Sequence, residues 1–199
     1  MLPELGKVDR EAGEFWVANP FLMPTSGKNL SAYERNRLFL NLKGKDFIDA
    51  SFASAVDIDA DSRSAIPADY DNDGAVDLLV GSVGVGPLRL FKNQLPVQNF
   101  IHITLLDNQR PAIGSRVELR CGNQTIVRDL FAANGFMGQS PADLHIGVGQ
   151  ATQIDNIKIL WATKGGSVQE FKNVHVNQRI AIKRQQPQIE VLTVGQPRN

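Results

Sequence analysis

The chain has 199 residues, of which 42% are hydrophobic and 21% are charged, and this suits one large or two small globular domains. Lysine plus arginine and aspartate plus glutamate each number 21, so the formal net charge is zero and nucleic-acid binding is not expected. The single cysteine, Cys121, excludes an intramolecular disulfide but does not exclude export.

Residues 1–36 are predicted to be mostly irregular, because Asn19-Pro20 and Met23-Pro24 interrupt them. A short helical turn is expected at residues 30–35. The start of the chain, up to Trp16, is charged and lacks the apolar segment of a signal peptide. No apolar run in the sequence approaches the length of a membrane span, so we expect no membrane insertion.

Residues 37–95 carry short apolar runs separated by turn residues, which is the pattern of a small antiparallel β-meander. The predicted strands of this meander cover residues 38–42, 46–50, 65–68, 77–81 and 88–92. Residues 96–99 are then expected to form a linker.

Residues 100–184 contain a second series of short strands and are predicted to form a β-sandwich. The predicted strands cover residues 102–106, 115–121, 124–130, 143–146, 156–161, 168–171 and 178–183. Residues 185–199 are expected to be a mobile tail, within which residues 189–194 could add an edge strand. The sequence therefore predicts an all-β protein, a short meander followed by a C-terminal β-sandwich.

An acidic loop lies between the third and fourth predicted strands. Carboxylates occur at Asp69, Asp71, Asp73 and Asp77, and Gly74 permits a sharp turn among them. Charges of the same sign at this density repel one another, by roughly 1 kcal/mol per close pair in water. A cation would relieve that repulsion, and hard carboxylate oxygens suit calcium.

The spacing of the loop matches the first half of an EF-hand but not the second half. Position 12 of an EF-hand loop is a bidentate glutamate, whereas this chain has Val80 there and a strand in place of a helix. We therefore predict a self-contained Ca²⁺ loop that is closed by Asp77 and by the backbone carbonyl of Ala75. The alternative is a surface turn rich in aspartate that caps a strand without metal.

Other clusters are weaker candidates. Asp57, Asp59 and Asp61 repeat the alternating pattern without a following glycine, which favours a solvated turn over a second metal site. The histidines lie in separate predicted strands without metal-ligand spacing; they are His102, His145 and His175. Neither Ser140 nor Cys121 has the neighbours of an activated nucleophile, so no catalytic set is predicted.

Two stretches resemble known families. Residues 36–41 (NRLFLN) followed by residues 69–78 (DYDNDGAVDL) resemble an FG-GAP/VCBS repeat, the calcium-loop blade of integrin α-type β-propellers. This resemblance implies that Asp69, Asp71, Asp73, Asp77 and the Ala75 carbonyl hold calcium. The chain has room for about one blade before Pro96, which fits the C-terminal part of a longer propeller protein.

Residues 112–117, 138–140, 144–149 and 154–161 resemble an ASPIC/UnbV domain of the cartilage acidic protein-like family. In that family the domain follows FG-GAP repeats in secreted or surface proteins. The residues after Trp161 depart from the usual proline and glycine turn, because Ala162 and Thr163 stand there. The resemblance implies a secreted, periplasmic or cell-surface location.

The sequence thus favours a non-enzymatic calcium-binding β module for adhesion or protein–protein interaction. Its partner would be a protein or a glycan, and exposed strand edges would permit self-association. The alternative is an accessory or catalytic protein that acts on a small molecule or glycan. Its site would lie near residues 134–139, where glycine, aromatic and amide groups are mixed.

Overall fold

The computed structural model describes residues 35–42, 44–60, 62–82, 87–96, 98–131, 135 and 138–194. Within these ranges the chain is all-β, as the sequence predicted, and its regular structure consists of fourteen strands. Among the described residues there is no helix that could span a membrane. The helical turn expected at residues 30–35 lies outside the described residues, except for Arg35.

The chain divides into two compact units. The first comprises the described residues up to Ser64 together with Val80–Arg89. The second comprises Ala65–Leu79 and the described residues from Leu90 onward. The acidic loop therefore belongs to the same unit as the C-terminal strands. The domain limits expected from the sequence, residues 37–95 and 100–184, stay predictions.

The strands that were predicted as one meander lie in two separate sheets. An antiparallel pair consists of β1 (Phe39–Asn41) and β2 (Phe47–Asp49). A three-stranded sheet has the order β3 (Ser62–Ala68), β4 (Asp77–Ser82) and β5 (Arg89–Phe91). The acidic loop connects β3 to β4, so the two strands hold both of its ends.

The remaining strands form two sheets that share one core. The strands are β6 (Asn99–Asp107), β7 (Arg110–Pro111), β8 (Arg116–Cys121), β9 (Gln124–Asp129), β10 (Leu144–Gly149), β11 (Gln153–Trp161), β12 (Ser167–His175), β13 (Gln178–Lys183) and β14 (Ile189–Val194). One sheet has the order β10–β6–β13–β14, with β7 paired to β6, and the other has the order β12–β11–β8–β9. The predicted β-sandwich and the predicted strand at residues 189–194 are thus both present.

Alternation of apolar residues along the strands builds the core of this sandwich. Ile101, Ile103 and Leu105 of β6 are fully buried, and they meet Ile157 and Ile159 of β11 in one hydrophobic cluster. Complete burial of such a side chain contributes about 1.5–3 kcal/mol, so these positions fix the register of the strands. β13 pairs with β6 in parallel, a contact between chain segments that no local sequence pattern indicates.

The other face of β6 is buried as well. Phe100 and His102 lie on that face because they alternate with the core residues, yet only 5% and 7% of their surfaces are exposed. His145 of β10 stands directly opposite His102 in the antiparallel pairing. We refer to Phe100, His102 and His145 as the aromatic platform. This platform lies against the acidic loop.

Candidate metal centre

Three of the four carboxylates in the acidic loop converge. Asp69, Asp71 and Asp73 each offer one carboxylate oxygen, and these three atoms lie within 4.8 Å of one another. Two oxygens that bind the same calcium ion at its usual distance lie at most about 5 Å apart. The three side chains therefore fit a calcium ion in both donor type and spacing.

Backbone hydrogen bonds hold the loop in this curled shape. The Asp73 N–H donates to Oδ1 of Asp69 at 3.0 Å, and the Gly74 N–H donates to Oδ2 of Asp69 at 3.1 Å. The Ala75 N–H donates to Oδ1 of Asp73 at 2.9 Å. Because a carboxylate has about four lone-pair sites, these bonds leave Asp69 and Asp73 with capacity for a metal ion.

Asp77 serves a different role from the other three carboxylates. Its side chain is buried, its Oδ1 accepts a hydrogen bond from the Asn93 N–H at 2.8 Å, and its Oδ2 accepts one from the Tyr70 N–H at 3.3 Å. Among the described carboxylates, it does not join the group of three within 4.8 Å. The predicted ligand roles of Asp77 and of the Ala75 carbonyl stay predictions.

Lys92, a residue that the sequence did not single out, places a positive charge in this loop. Its ammonium group contacts Oδ2 of Asp71 and lies 3.5 Å from Oδ2 of Asp73. The hydrogen bond that Lys92 donates to Asp71 and the negative charges of the loop raise the pKa of Lys92, which keeps the ammonium charged. Lys92 follows β5, so only the pairing of that strand beside β4 brings it to the loop.

The aromatic platform packs against the loop at Gly74. Gly74 has a φ of 90°, and a Cβ atom there would lie 2.5 Å from Cε1 of Phe100. His145 stacks on Phe100 with ring centroids 4.9 Å apart, and His102 meets His145 edge-on at 5.8 Å. Nε2 of His102 lies 2.9 Å from Oδ2 of Asp143. A glycine is thus required where the loop touches the sandwich.

The electrostatics of the platform are coupled to the loop. Burial lowers the pKa of His145, and the neighbouring His102 lowers it further. The charge of Asp69 and a hydrogen bond with the Gly74 backbone oppose this shift. His145 is partly buried and stacks on Phe100, which agrees with a packing role.

The weaker candidates are distributed elsewhere. Asp57 lies 3.4 Å from Arg35, and Asp59 forms an isolated bridge with the same arginine, while Asp61 lies outside the described residues. His175 is exposed at the end of β12. Burial raises the pKa of the Cys121 thiol, which makes it a poor nucleophile at neutral pH.

The alternative site expected near residues 134–139 falls largely outside the described residues, of which Gly135, Gly138 and Gln139 remain. A cavity of about 520 Å³ lies instead at the hairpin between β6 and β7, beside Trp161. Two of its polar side chains have partners in the fold. Asp107 lies 2.7 Å from Arg184, and Ser115 accepts a hydrogen bond from the Ala162 N–H.

Residues 106–189 match the family model described as ASPIC and UnbV. Most of the C-terminal sandwich thus lies in the part of the chain that is similar to this family. The match begins at the end of β6 and extends to the start of β14, which confirms the resemblance noted over residues 112–161. A search of curated proteins returned no match.

The acidic loop precedes the matched residues, so the match does not indicate whether the loop binds a metal ion. The resemblance of residues 36–78 to an FG-GAP repeat likewise stays a prediction. The case for a metal ion in the loop therefore depends on the geometry of its carboxylates.

Proposed function

We propose that this chain is a calcium-binding β module that mediates adhesion or protein–protein contact and has no catalytic activity of its own. The observation that carries the proposal is the convergence of Asp69, Asp71 and Asp73 within 4.8 Å on a loop already held in a curled shape. Extracellular modules bind calcium weakly, at about 10⁻⁴–10⁻³ M. A secreted, periplasmic or surface location would supply calcium at such concentrations.

The donor set favours calcium over other metals. All three side chains offer hard carboxylate oxygens, whereas zinc and copper sites usually include imidazole or thiolate ligands. Magnesium demands a nearly ideal octahedron and dehydrates reluctantly, but calcium tolerates irregular sets of six to eight oxygens. The irregular loop between β3 and β4 suits that tolerance.

The role proposed for the metal is structural. Bound calcium would offset most of the negative charge of Asp69, Asp71 and Asp73 and would hold the loop against the aromatic platform of the sandwich. The described residues of the loop do not place a nucleophilic side chain beside a general base. This supports a binding role over a catalytic one.

Calorimetric titration of the chelator-treated chain with calcium tests the metal site directly. We expect heat release and a higher melting temperature for the unchanged chain, and neither effect for Asp71→Ala/Asp73→Ala. The matched control is Asp129→Ala, which also removes a carboxylate paired with a basic residue but lies in the sandwich, 2.6 Å from Arg116. Equal heats and equal melting temperatures with and without calcium would remove calcium from the proposal.

The first unit offers a surface for the proposed protein contact. Exposed apolar side chains cluster on the β1–β2 hairpin and the turn after it; they are Phe39, Leu40, Phe47, Ile48 and Phe52. Phe39 and Phe47 lie on one face of the hairpin, and exposed apolar side chains that share a face mark interaction surfaces. We expect sedimentation velocity to reveal self-association that Phe39→Ser/Phe47→Ser weakens. A chain that remains monomeric at every concentration would exclude self-association through this hairpin.

A further inference from the structure

The ammonium group of Lys92 lies among the carboxylates proposed to bind calcium. It contacts Asp71 and lies 3.5 Å from Asp73, so it approaches two of the three converging side chains. We infer that Lys92 is a tethered cation that occupies the acidic loop in place of metal and must be displaced before calcium binds. This inference rests on the proposed calcium site and adds a competitor that belongs to the chain itself.

Electrostatic repulsion makes simultaneous occupancy unfavourable. A calcium ion bound by Asp71 and Asp73 would lie only a few ångströms from the ammonium position, and both species are positively charged. One oxygen of each carboxylate, Oδ2 of Asp71 and Oδ2 of Asp73, faces the ammonium. Calcium and Lys92 thus compete for the same two carboxylates as well as for space.

The structure permits Lys92 to leave without disturbing the shape of the loop. About half of its side chain is exposed, so the ammonium can swing into water on its flexible stem. The neighbouring Asn93 N–H remains bound to Asp77, which anchors the backbone at this point. The hydrogen bonds that curl the loop run between Asp69, Asp73 and backbone N–H groups and do not involve Lys92.

This arrangement has two consequences. Without calcium, Lys92 relieves part of the repulsion among the carboxylates, and the loop keeps its shape. With calcium, the work of displacing Lys92 weakens the apparent affinity, so the site responds only to high calcium concentrations. Removing the charge of Lys92 should therefore strengthen calcium binding and lower the stability of the metal-free protein.

The test compares calcium titrations of the unchanged chain, Lys92→Met and Lys92→Arg. Lys92→Met keeps the apolar stem and removes the charge, and we expect it to bind calcium roughly tenfold more tightly, a factor typical of coupled binding. Its melting temperature in chelator should be lower than that of the unchanged chain. Lys92→Arg should retain the weak affinity.

The matched control is Lys158→Met, because Lys158 also pairs with a carboxylate, Glu118 at 3.2 Å, but lies in the sandwich. It should leave the affinity unchanged. Equal or weaker binding by Lys92→Met, with calcium binding still lost in Asp71→Ala/Asp73→Ala, would overturn this inference and leave the proposed function intact. Absence of binding in the unchanged chain and in Lys92→Met would overturn both.

A measurement on the unchanged chain tests the inference even if the variants fail to fold. The NMR signals of the Lys92 ε-methylene group should move toward the values of a solvated lysine as calcium is added. Signals of Lys92 that stay constant while calcium saturates the loop would also overturn the inference.

Discussion

Gly74 is the residue on which the contact between loop and sandwich depends. Its φ of 90° and the closeness of Phe100 both exclude a side chain. We predict that Gly74→Ala lowers the free energy of unfolding by about 2–5 kcal/mol. This combines about 1–2 kcal/mol for the left-handed conformation with about 1–3 kcal/mol for overpacking. Urea denaturation measures the loss.

Gly165 supplies the matched control for this prediction. It has a φ of 92°, but nothing lies within 4 Å of the Cβ position that alanine would add. Gly165→Ala should therefore cost only the conformational part, about 1–2 kcal/mol. Equal losses in the two variants would show that Phe100 does not press on the loop.

We predict that His145 makes the stability of the sandwich depend on pH. Because its pKa is lowered in the folded chain, the unfolded chain binds more protons, and stability rises with pH in this range. The contribution is fully present above the ordinary histidine pKa of about 6.5 and is lost as pH falls through the lower folded value. We predict that His145→Phe, which keeps the stacking on Phe100, reduces the fall in unfolding free energy between about pH 7.5 and pH 5.

Denaturation curves across that pH range check the prediction, with His175→Phe as the control. His175 is exposed on β12, so its replacement should leave the pH dependence of the unfolding free energy unchanged. A slope that is the same in His145→Phe as in the unchanged chain would contradict a role for His145.

At the scale of elements, Asp77 joins the start of β4 to the chain on both sides of it. It accepts hydrogen bonds from the N–H groups of Tyr70 and Asn93, and the Asn93 side chain returns one to the Val76 carbonyl. In Asp77→Asn, an amide group must face one of these partly buried donors. We predict a loss of about 1–3 kcal/mol in unfolding free energy, even in chelator.

Asp71→Asn is the comparison for this element. Asp71 is partly exposed and pairs with Lys92, so its replacement should change stability little in chelator but should abolish the stabilisation by calcium. If Asp77→Asn lost stability only in the presence of calcium, Asp77 would act as a ligand and not as a link between elements.

Most of the strands follow from sequence patterns. Alternating apolar residues and turn residues predicted thirteen of the strands, including Ile189–Val194 at the sheet edge. The short strand Arg110–Pro111 was not predicted, because its hairpin turn uses Asn108 and Gln109 in place of glycine. Both turn residues have positive φ, a conformation that their identity signals only weakly.

For the whole molecule, the acidic loop and the sandwich belong to one compact unit. Calcium bound at residues 69–73 should therefore stabilise the sandwich core as well. Trp161 is buried in that core, and the other tryptophan of the chain is Trp16. We predict that calcium raises the unfolding midpoint reported by Trp161 fluorescence in a Trp16→Phe chain.

The magnitude follows from mass action. Ligand at a hundred times its dissociation constant adds about 2.7 kcal/mol to the free energy of unfolding. Adding calcium to Asp71→Ala/Asp73→Ala should leave the unfolding midpoint reported by Trp161 fluorescence unchanged. Calcium that binds by calorimetry without moving the Trp161 midpoint would show that the loop and the sandwich unfold independently.

Local sequence patterns are sufficient to predict the all-β fold and most of the strands, and they include the acidic spacing from Asp69 to Asp73. These features are local, because side-chain alternation, turn chemistry and the spacing of carboxylates each depend on only a few neighbouring residues. The tertiary structure alone decided that Lys92 enters the loop, that Asp77 binds backbone N–H groups and that Gly74 rests on Phe100. Each of these contacts joins segments far apart in the chain, and strand pairing and burial select such contacts, whereas local patterns do not.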